Sequence, residues 1–257
     1  MIGIADRLYP SASDAATVDV SWGGGTFEIL PDRRSGRAPA IGDTAAMSRR
    51  LRRVLNVAVA AVGIILTVPI MLLIAMLVRL TSPGPVLYRQ QRVGLDRRRG
   101  TRGHWRRRVD YGGKLFTIYK FRTMRVEPEG QAQQVWASRS DPRITPIGNV
   151  LRKYRLDELP QLFNVLRGDM NVVGPRPEQP KIFLQLREQV ERYHERQRVL
   201  PGITGWAQVN QSYDQNIEDV RRKVRLDLEY AERESPVQDL MIMVRTVPVM
   251  LFKVGSI

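Results

Sequence analysis

The sequence predicts a membrane-associated α/β protein, mainly helical, with an N-terminal re-entrant membrane helix hairpin broken near Pro69 and further amphipathic helices at the interface. Three observations predict it. Val54 to Val78 is a run of 25 residues without a charged side chain, long enough for a membrane helix. Arginines crowd both of its ends: Arg49, Arg50, Arg52 and Arg53 before it, and Arg79, Arg89 and Arg92 after it. Beyond the run, one short alternating segment stands among stretches with helical spacing.

Taken in chain order, residues 1–46 mix glycine, proline, serine and charges, with Gly23-Gly24-Gly25 and no sustained period. They read as a mostly disordered tail, with Trp22, Phe27, Ile29 and Leu30 as an alternative short docking patch. The apolar run starts too deep in the chain, and is followed by too large and basic a residue, for a cleaved signal peptide. Basic flanks at both ends place both on one side of a membrane. Pro69 supplies the break, because it lacks a backbone donor and clashes with the preceding turn. A tilted span with a proline kink is the other reading.

Arg97, Arg98, Arg99, Arg102, Arg106, Arg107 and Arg108 crowd into residues 95–113, a solvated loop or a contact for anionic headgroups. Leu115 to Tyr119 alternates with β-branched and aromatic content, so a strand is expected to deliver Lys120, Arg122 and Thr123 to a loop. Helices are expected over 144–154 and 158–166, with a longer charged one over 180–199. Leu240 to Val254 is apolar apart from Arg245, Thr246 and Lys253; it reads as an interfacial helix or a buried core one.

Composition excludes some chemistry. With no cysteine, thiolate metal sites, disulfides and cysteine nucleophiles are ruled out. A formal charge of +15 favours a polyanionic partner, nucleic acid or an anionic membrane leaflet; the apolar run selects the membrane, and no nucleic-acid partner is expected.

The chemistry concentrates between Arg155 and Pro177. Adjacent carboxylates, Asp157 and Glu158, can supply one nucleophile and one metal ligand. Arg176, stiffened by Pro175 and Pro177, can meet a diphosphate with a planar fork of donors. The competing reading makes Asp157 a helix N-cap and Glu158 a favourable first-turn charge, a role compatible with catalysis.

This block resembles the signature of the bacterial sugar transferases, the monotopic phosphoglycosyl transferases that act on polyprenyl phosphate. Further segments match in the same order: Ser82-Pro83-Gly84-Pro85-Val86, Arg89-Gln90-Gln91-Arg92-Val93-Gly94, Lys120-Phe121-Arg122-Thr123-Met124 and Pro201-Gly202-Ile203-Thr204-Gly205-Trp206-Ala207-Gln208-Val209-Asn210. The resemblance covers residues 48 to 257 and implies a compact family member. It implies a catalytic domain over 47–257 with a re-entrant helix over 54–80, and an insertion over 95–113. It also implies transfer of a sugar 1-phosphate from a UDP-sugar to undecaprenyl phosphate with release of UMP, at the start of surface-glycan assembly.

In that scheme Asp157 attacks to form an acyl phosphosugar, and Glu158 holds Mg²⁺. Arg176 clamps the diphosphate, with Lys120, Arg122 and Arg155 as weaker candidates, while Gln208 and Asn210 contact nucleotide or sugar. The implied location is the bacterial inner membrane, with the catalytic domain on its cytoplasmic face; a homo-oligomer stays open. Three positions depart from the family pattern: Val68 stands where serine commonly precedes the proline, Leu200 where arginine precedes Pro201-Gly202, and Gln211 where glycine follows asparagine. Thr67 and Arg198 are the nearest substitutes. The alternative function is a catalytically inactive membrane-bound scaffold.

Overall fold

The computed structural model describes residues 41–96, 111–126, 141–211 and 216–251. The expectations for the N-terminal tail before Ile41 and for the arginines of residues 97–110 lie outside the described residues. What is described is mainly helical, with two small two-stranded sheets.

Helix α1 (Ile41–Thr81) begins inside the stretch expected to be tail and carries the apolar run. Its buried residues Arg52, Asn56 and Ala60, and further on Ile74 and Val78, fall at spacings of four, one side of the helix in each half. Ala60 packs with Phe116, Ile118, Val165 and Met170, whereas Ile74 and Val78 pack with Phe121 and Leu151. Segments on both sides of Pro69 therefore rest on one folded body. Most of the remaining surface is bare: Ile65, Leu66, Leu72 and Leu80 are each two-thirds exposed or more.

The expected break near Pro69 is not an interruption of helical structure, since α1 is continuous through the proline. The Thr67 hydroxyl donates to the Gly63 carbonyl at 2.6 Å. Such side-chain bonding is one way a membrane helix accommodates a proline. The carbonyl that Pro69 deprives of a donor is that of Ile65, further along the helix, so this bond does not replace the hydroxyl missing at Val68.

Strand β1 (Leu87–Val93) pairs antiparallel with β2 (Leu115–Phe121), Leu87 opposite Phe121 and Val93 opposite Leu115. The ladder runs two residues further than the expected strand, so Lys120 lies within β2 and not in a loop. Alternation puts Phe116, Ile118 and Lys120 on one face. Gly94 N–H donates to Lys114 O at 2.9 Å, which extends the pairing one step beyond the ladder.

Helix α2 (Pro146–Lys153) starts at Thr145, whose hydroxyl accepts from Gly148 N–H at 3.0 Å, a cap worth about 1 kcal/mol. A 3-10 turn (Leu156–Glu158) and α3 (Gln161–Arg167) replace the single helix expected over 158–166. Pro160 has no N–H to give Leu156 O, so α-helical bonding cannot cross it; Leu159 N–H donates there instead, closing the turn.

Strand β3 (Asn171–Val173) pairs in parallel with β4 (Gly202–Thr204). A methyl group on Gly202 would lie 2.1 Å from Gly174 N, and one on Gly174 2.3 Å from Leu200 O, so only glycines let these two loops abut. Helix α4 (Pro180–Gln189) and a 3-10 stretch (Tyr193–Arg198) replace the longer helix expected over 180–199. The chain turns at Val190 and at Arg192, which has a φ of 59°. The turn brings the Tyr193 ring 5.4 Å from Phe183, inside the cluster that Val220, Val224 and Leu228 complete.

Helices α5 (Trp206–Asn210), α6 (Ile217–Arg233) and α7 (Pro236–Leu251) finish the fold. In α7, Asp239 and Ile242 are buried while Val237, Leu240, Val244 and Val247 are more than half exposed. One side of the helix is therefore apolar and exposed and the other buried, and α7 starts four residues before the stretch read from sequence. Arg52 of α1 joins α7 and α6: it donates to Asp239 and Tyr230 at 2.9 and 2.7 Å and pairs with Glu234.

Candidate active site

The carboxylate pair sits in the 3-10 turn between α2 and α3, both residues buried. Arg155 enters the turn in the left-handed region, with φ of 54°. Asp157 is inside the turn and caps no helix, so the capping role weighed from sequence is not the one it has. The turn is locked from below by Asn164 of α3, whose amide donates to Thr117 O at 2.7 Å and accepts from Tyr119 N–H at 3.2 Å. These bonds fix α3 against β2 and so fix Glu158 opposite Lys120.

Two cations converge on Glu158. Lys120 Nζ lies 2.9 Å and Arg176 Nη2 2.7 Å from its Oε1. Arg176 Nη1 is 3.4 Å from Oε2. Burial alone would raise the Glu158 carboxyl, but Arg176 and Lys120 outweigh it and hold the group far below the usual carboxylate range. Asp157 moves the other way: burial, with the Glu158 charge adding to it, raises its carboxyl against the opposing pull of Lys120, Arg176 and Arg152. Burial lowers the Lys120 ammonium, and Arg176 lowers it further, against Glu158.

Beside Glu158 opens a cleft of about 110 Å³ between α3, β4, α5 and α7, lined chiefly by Leu159, Leu162, Ile203, Val209 and Val249 with Arg155 and Gln208. Gln208 donates to Ile203 O at 3.1 Å, and its Oε1 is buried without a hydrogen-bond partner. The structure thus brings together Lys120, Asp157, Glu158 and Arg176, with Arg155 and Gln208 at an adjoining wall.

Two other expected site residues stand elsewhere. Arg122 is buried and turned toward the end of α1, donating to Ser82 O at 2.8 Å and to Pro83 O. Asn210 is exposed and donates to Trp206 O at 2.8 Å, within its own helix. The Trp206 indole donates to Glu229 at 3.2 Å and lies under the Arg245 guanidinium. Arg198, the nearest substitute for the arginine replaced by Leu200, is half exposed and pairs with Glu195. Sequence reading overlooked Asn164 and Arg196; an asparagine set among Leu162, Phe163, Val165 and Leu166 was the available signal for the first, and nothing local marks the second.

Among the described residues no group of three or more His, Cys, Asp or Glu forms a metal cage. Glu158 still fits a Mg²⁺ that takes one carboxylate together with substrate phosphates. Because Lys120 and Arg176 already balance Glu158, a divalent cation is favoured there only with the negative charge of a diphosphate.

The chain matches the family model described as bacterial sugar transferase over residues 47–253. It is 39% identical over 206 residues to the UDP-N-acetylgalactosamine-undecaprenyl-phosphate N-acetylgalactosaminephosphotransferase of Aeromonas hydrophila, covering 80% of this chain and 45% of that protein. It is 38% identical over 230 residues to the UDP-glucose:undecaprenyl-phosphate glucose-1-phosphate transferase of Escherichia coli K12, covering 86% of this chain and 46% of that protein. The Caulobacter vibrioides protein with the same description is 37% identical over 230 residues, 89% of this chain and 78% of its own length. The chain spans about half the length of the first two relatives.

Proposed function

The chain belongs to the bacterial sugar transferase family, and from that membership we propose that it transfers a sugar 1-phosphate from a UDP-sugar to undecaprenyl phosphate, releasing UMP, at the start of surface-polysaccharide assembly. The observation that carries this reading is the buried Asp157 beside a Glu158 that Lys120 and Arg176 hold ionised. The fork of Arg176 and the Lys120 ammonium offer the donor diphosphate two fixed cations. Asp157 then attacks the sugar-bearing phosphorus: a carboxylate oxygen bonds to it, the bond to the bridging oxygen breaks, and UMP departs with that electron pair. An oxygen of undecaprenyl phosphate attacks the same phosphorus in turn, and Asp157 leaves as the free carboxylate.

Glu158 and the donor's phosphate oxygens would hold Mg²⁺, which supplies charge neutralisation for the departing nucleotide. The lipid acceptor calls for a membrane site. The exposed apolar faces of α1 and α7 supply the contact surface, together with anionic lipids around the basic flanks. Packing of both arms of α1 on one folded body favours entry and exit at the same leaflet, the cytoplasmic one in this reading. Residues 47–257 then constitute the catalytic unit.

Relatives of nearly equal identity bear names for different donors, so the sugar is decided by assay. Detergent-purified protein receives undecaprenyl phosphate, Mg²⁺ and a panel of UDP-sugars, and UMP release is followed. Release with one donor, dependent on acceptor and metal and absent in Asp157→Asn, is expected. No release from any donor by folded, lipid-bound protein would leave the inactive scaffold.

A further inference from the structure

We propose that Arg196 is a positioning residue for Arg176, holding the peptide that sets where the diphosphate clamp points; this rests on Arg176 being that clamp. Arg196 is 2% exposed and lies in the 3-10 stretch after α4. All three guanidinium nitrogens are engaged. Nε donates to Asp227 Oδ2 at 2.7 Å, Nη1 to the Tyr193 hydroxyl at 2.8 Å, and Nη2 to the main-chain carbonyl of Arg176 at 3.1 Å. Asp227, on α6, is as deeply buried as Arg196.

The carbonyl matters because of what surrounds it. On the other side of the Arg176 Cα, Pro175 O accepts from Gly202 N–H at 3.0 Å. The peptide planes before and after that Cα are therefore both held, and together they fix the direction in which the side chain departs. Pro175 and Pro177 restrict their own φ and bias Arg176 to extended backbone, but they do not hold these planes. Only the plane after Arg176 depends on Arg196. Downstream, Arg92 Nη1 holds Pro177 O at 3.0 Å and Val93 N–H holds Glu178 O at 2.9 Å.

A desolvated arginine is a poor choice for stability alone, because a buried ion pair is often replaceable by apolar residues with no loss. What an apolar pair or a lysine cannot reproduce is a rigid planar fork reaching a carboxylate, a phenol and a carbonyl at once. A loose Arg176 would misplace the donor phosphate, and displacements near 1 Å cost about 100-fold in rate.

The test combines two variants with two readouts. Arg196→Lys keeps a charge for Asp227, and Arg196→Met with Asp227→Leu removes the buried pair together. Each is expected to lower kcat/KM for UMP release by about 10- to 100-fold and to speed amide exchange in peptides covering residues 171–179 while exchange elsewhere stays at the wild-type rate. In an Arg176→Ala background the same changes are expected to add less than about twofold, since residues acting through one group are not additive. Losses that multiply in that background, or unchanged exchange over 171–179, would overturn the proposal. If wild-type protein releases no UMP from any donor, the transferase reading fails separately, and the exchange measurement still decides whether Arg196 holds the segment.

Discussion

Asp157 and Glu158 are neighbours in one 3-10 turn, both buried, and their carboxyls are pushed in opposite directions. Burial acts on both. The difference lies in the partners, since Lys120 and Arg176 hydrogen-bond Glu158 directly and reach Asp157 only through space. Two carboxylates whose environments separate them in this way are suited to different roles; in the reaction we propose, Glu158 is the anion that meets cations and Asp157 the nucleophile.

The raised Asp157 carboxyl predicts the acid limb of the reaction. In the proposed reaction Asp157 must be ionised to attack, so activity is expected above its folded value and lost as pH falls through it. Because that value is raised, the limb lies above the ordinary aspartate figure of 3.8. Lys120 opposes the rise, so Lys120→Met is expected to move the limb of kcat/KM to higher pH, besides lowering its height. A pH profile of UMP release measures it, and a limb that moves down would remove Lys120 from this role.

Metal and donor are expected to bind together. With Glu158 balanced by two cations, titration calorimetry should find weak Mg²⁺ binding to the protein alone and at least about tenfold tighter binding with UDP-sugar present, in Asp157→Asn protein to prevent turnover. Chelation should abolish UMP release. Equal metal affinity with and without donor would contradict the charge-balance argument.

Arg52 couples the long apolar helix α1 to the rest of the fold. Arg52→Ala would leave the fully buried Asp239 without its cation, with the Tyr230 hydroxyl at 2.7 Å as a remaining partner. Removing one member of a buried ion pair costs about 3–5 kcal/mol, read as a lowered unfolding midpoint in detergent. A loss below about 1 kcal/mol would mean that water replaces the guanidinium.

The path of α1 is open to chemical labelling, because the chain has no cysteine of its own. Single cysteines at Ser48 and Thr81, at the two ends of the apolar run, are expected to react with an impermeant maleimide from the same side of inner-membrane vesicles. Reaction from opposite sides would establish a span.

Much of the site was legible in the chain because it is local. Asp157 and Glu158 are covalent neighbours, and Pro177 biases the φ and ψ of the Arg176 just before it. The helix boundaries around them were less legible. Pro160 ends α-helical bonding one residue before α3 begins, and Val190 turns the chain because its side chain is drawn into the cluster with Phe183 and Tyr193. Arg122 shows the opposite limit, since its motif neighbours Lys120 and Thr123 give no hint that it faces Ser82 and Pro83.

By itself the sequence determined the apolar run with basic ends, the adjacent carboxylates, the stiffened Arg176 and the absence of thiol chemistry. All of these depend on contiguous residues, on side-chain type or on the 3.6- and 2-residue periods of the backbone. Only the tertiary structure decided that Lys120 and Arg176 close on Glu158, that Asp157 is desolvated and caps nothing, and that Arg196 reaches the Arg176 carbonyl. Those relations join side chains from separate elements, and their distances are set by how β2, α3, β3 and α6 pack around shared cores, which no local pattern encodes.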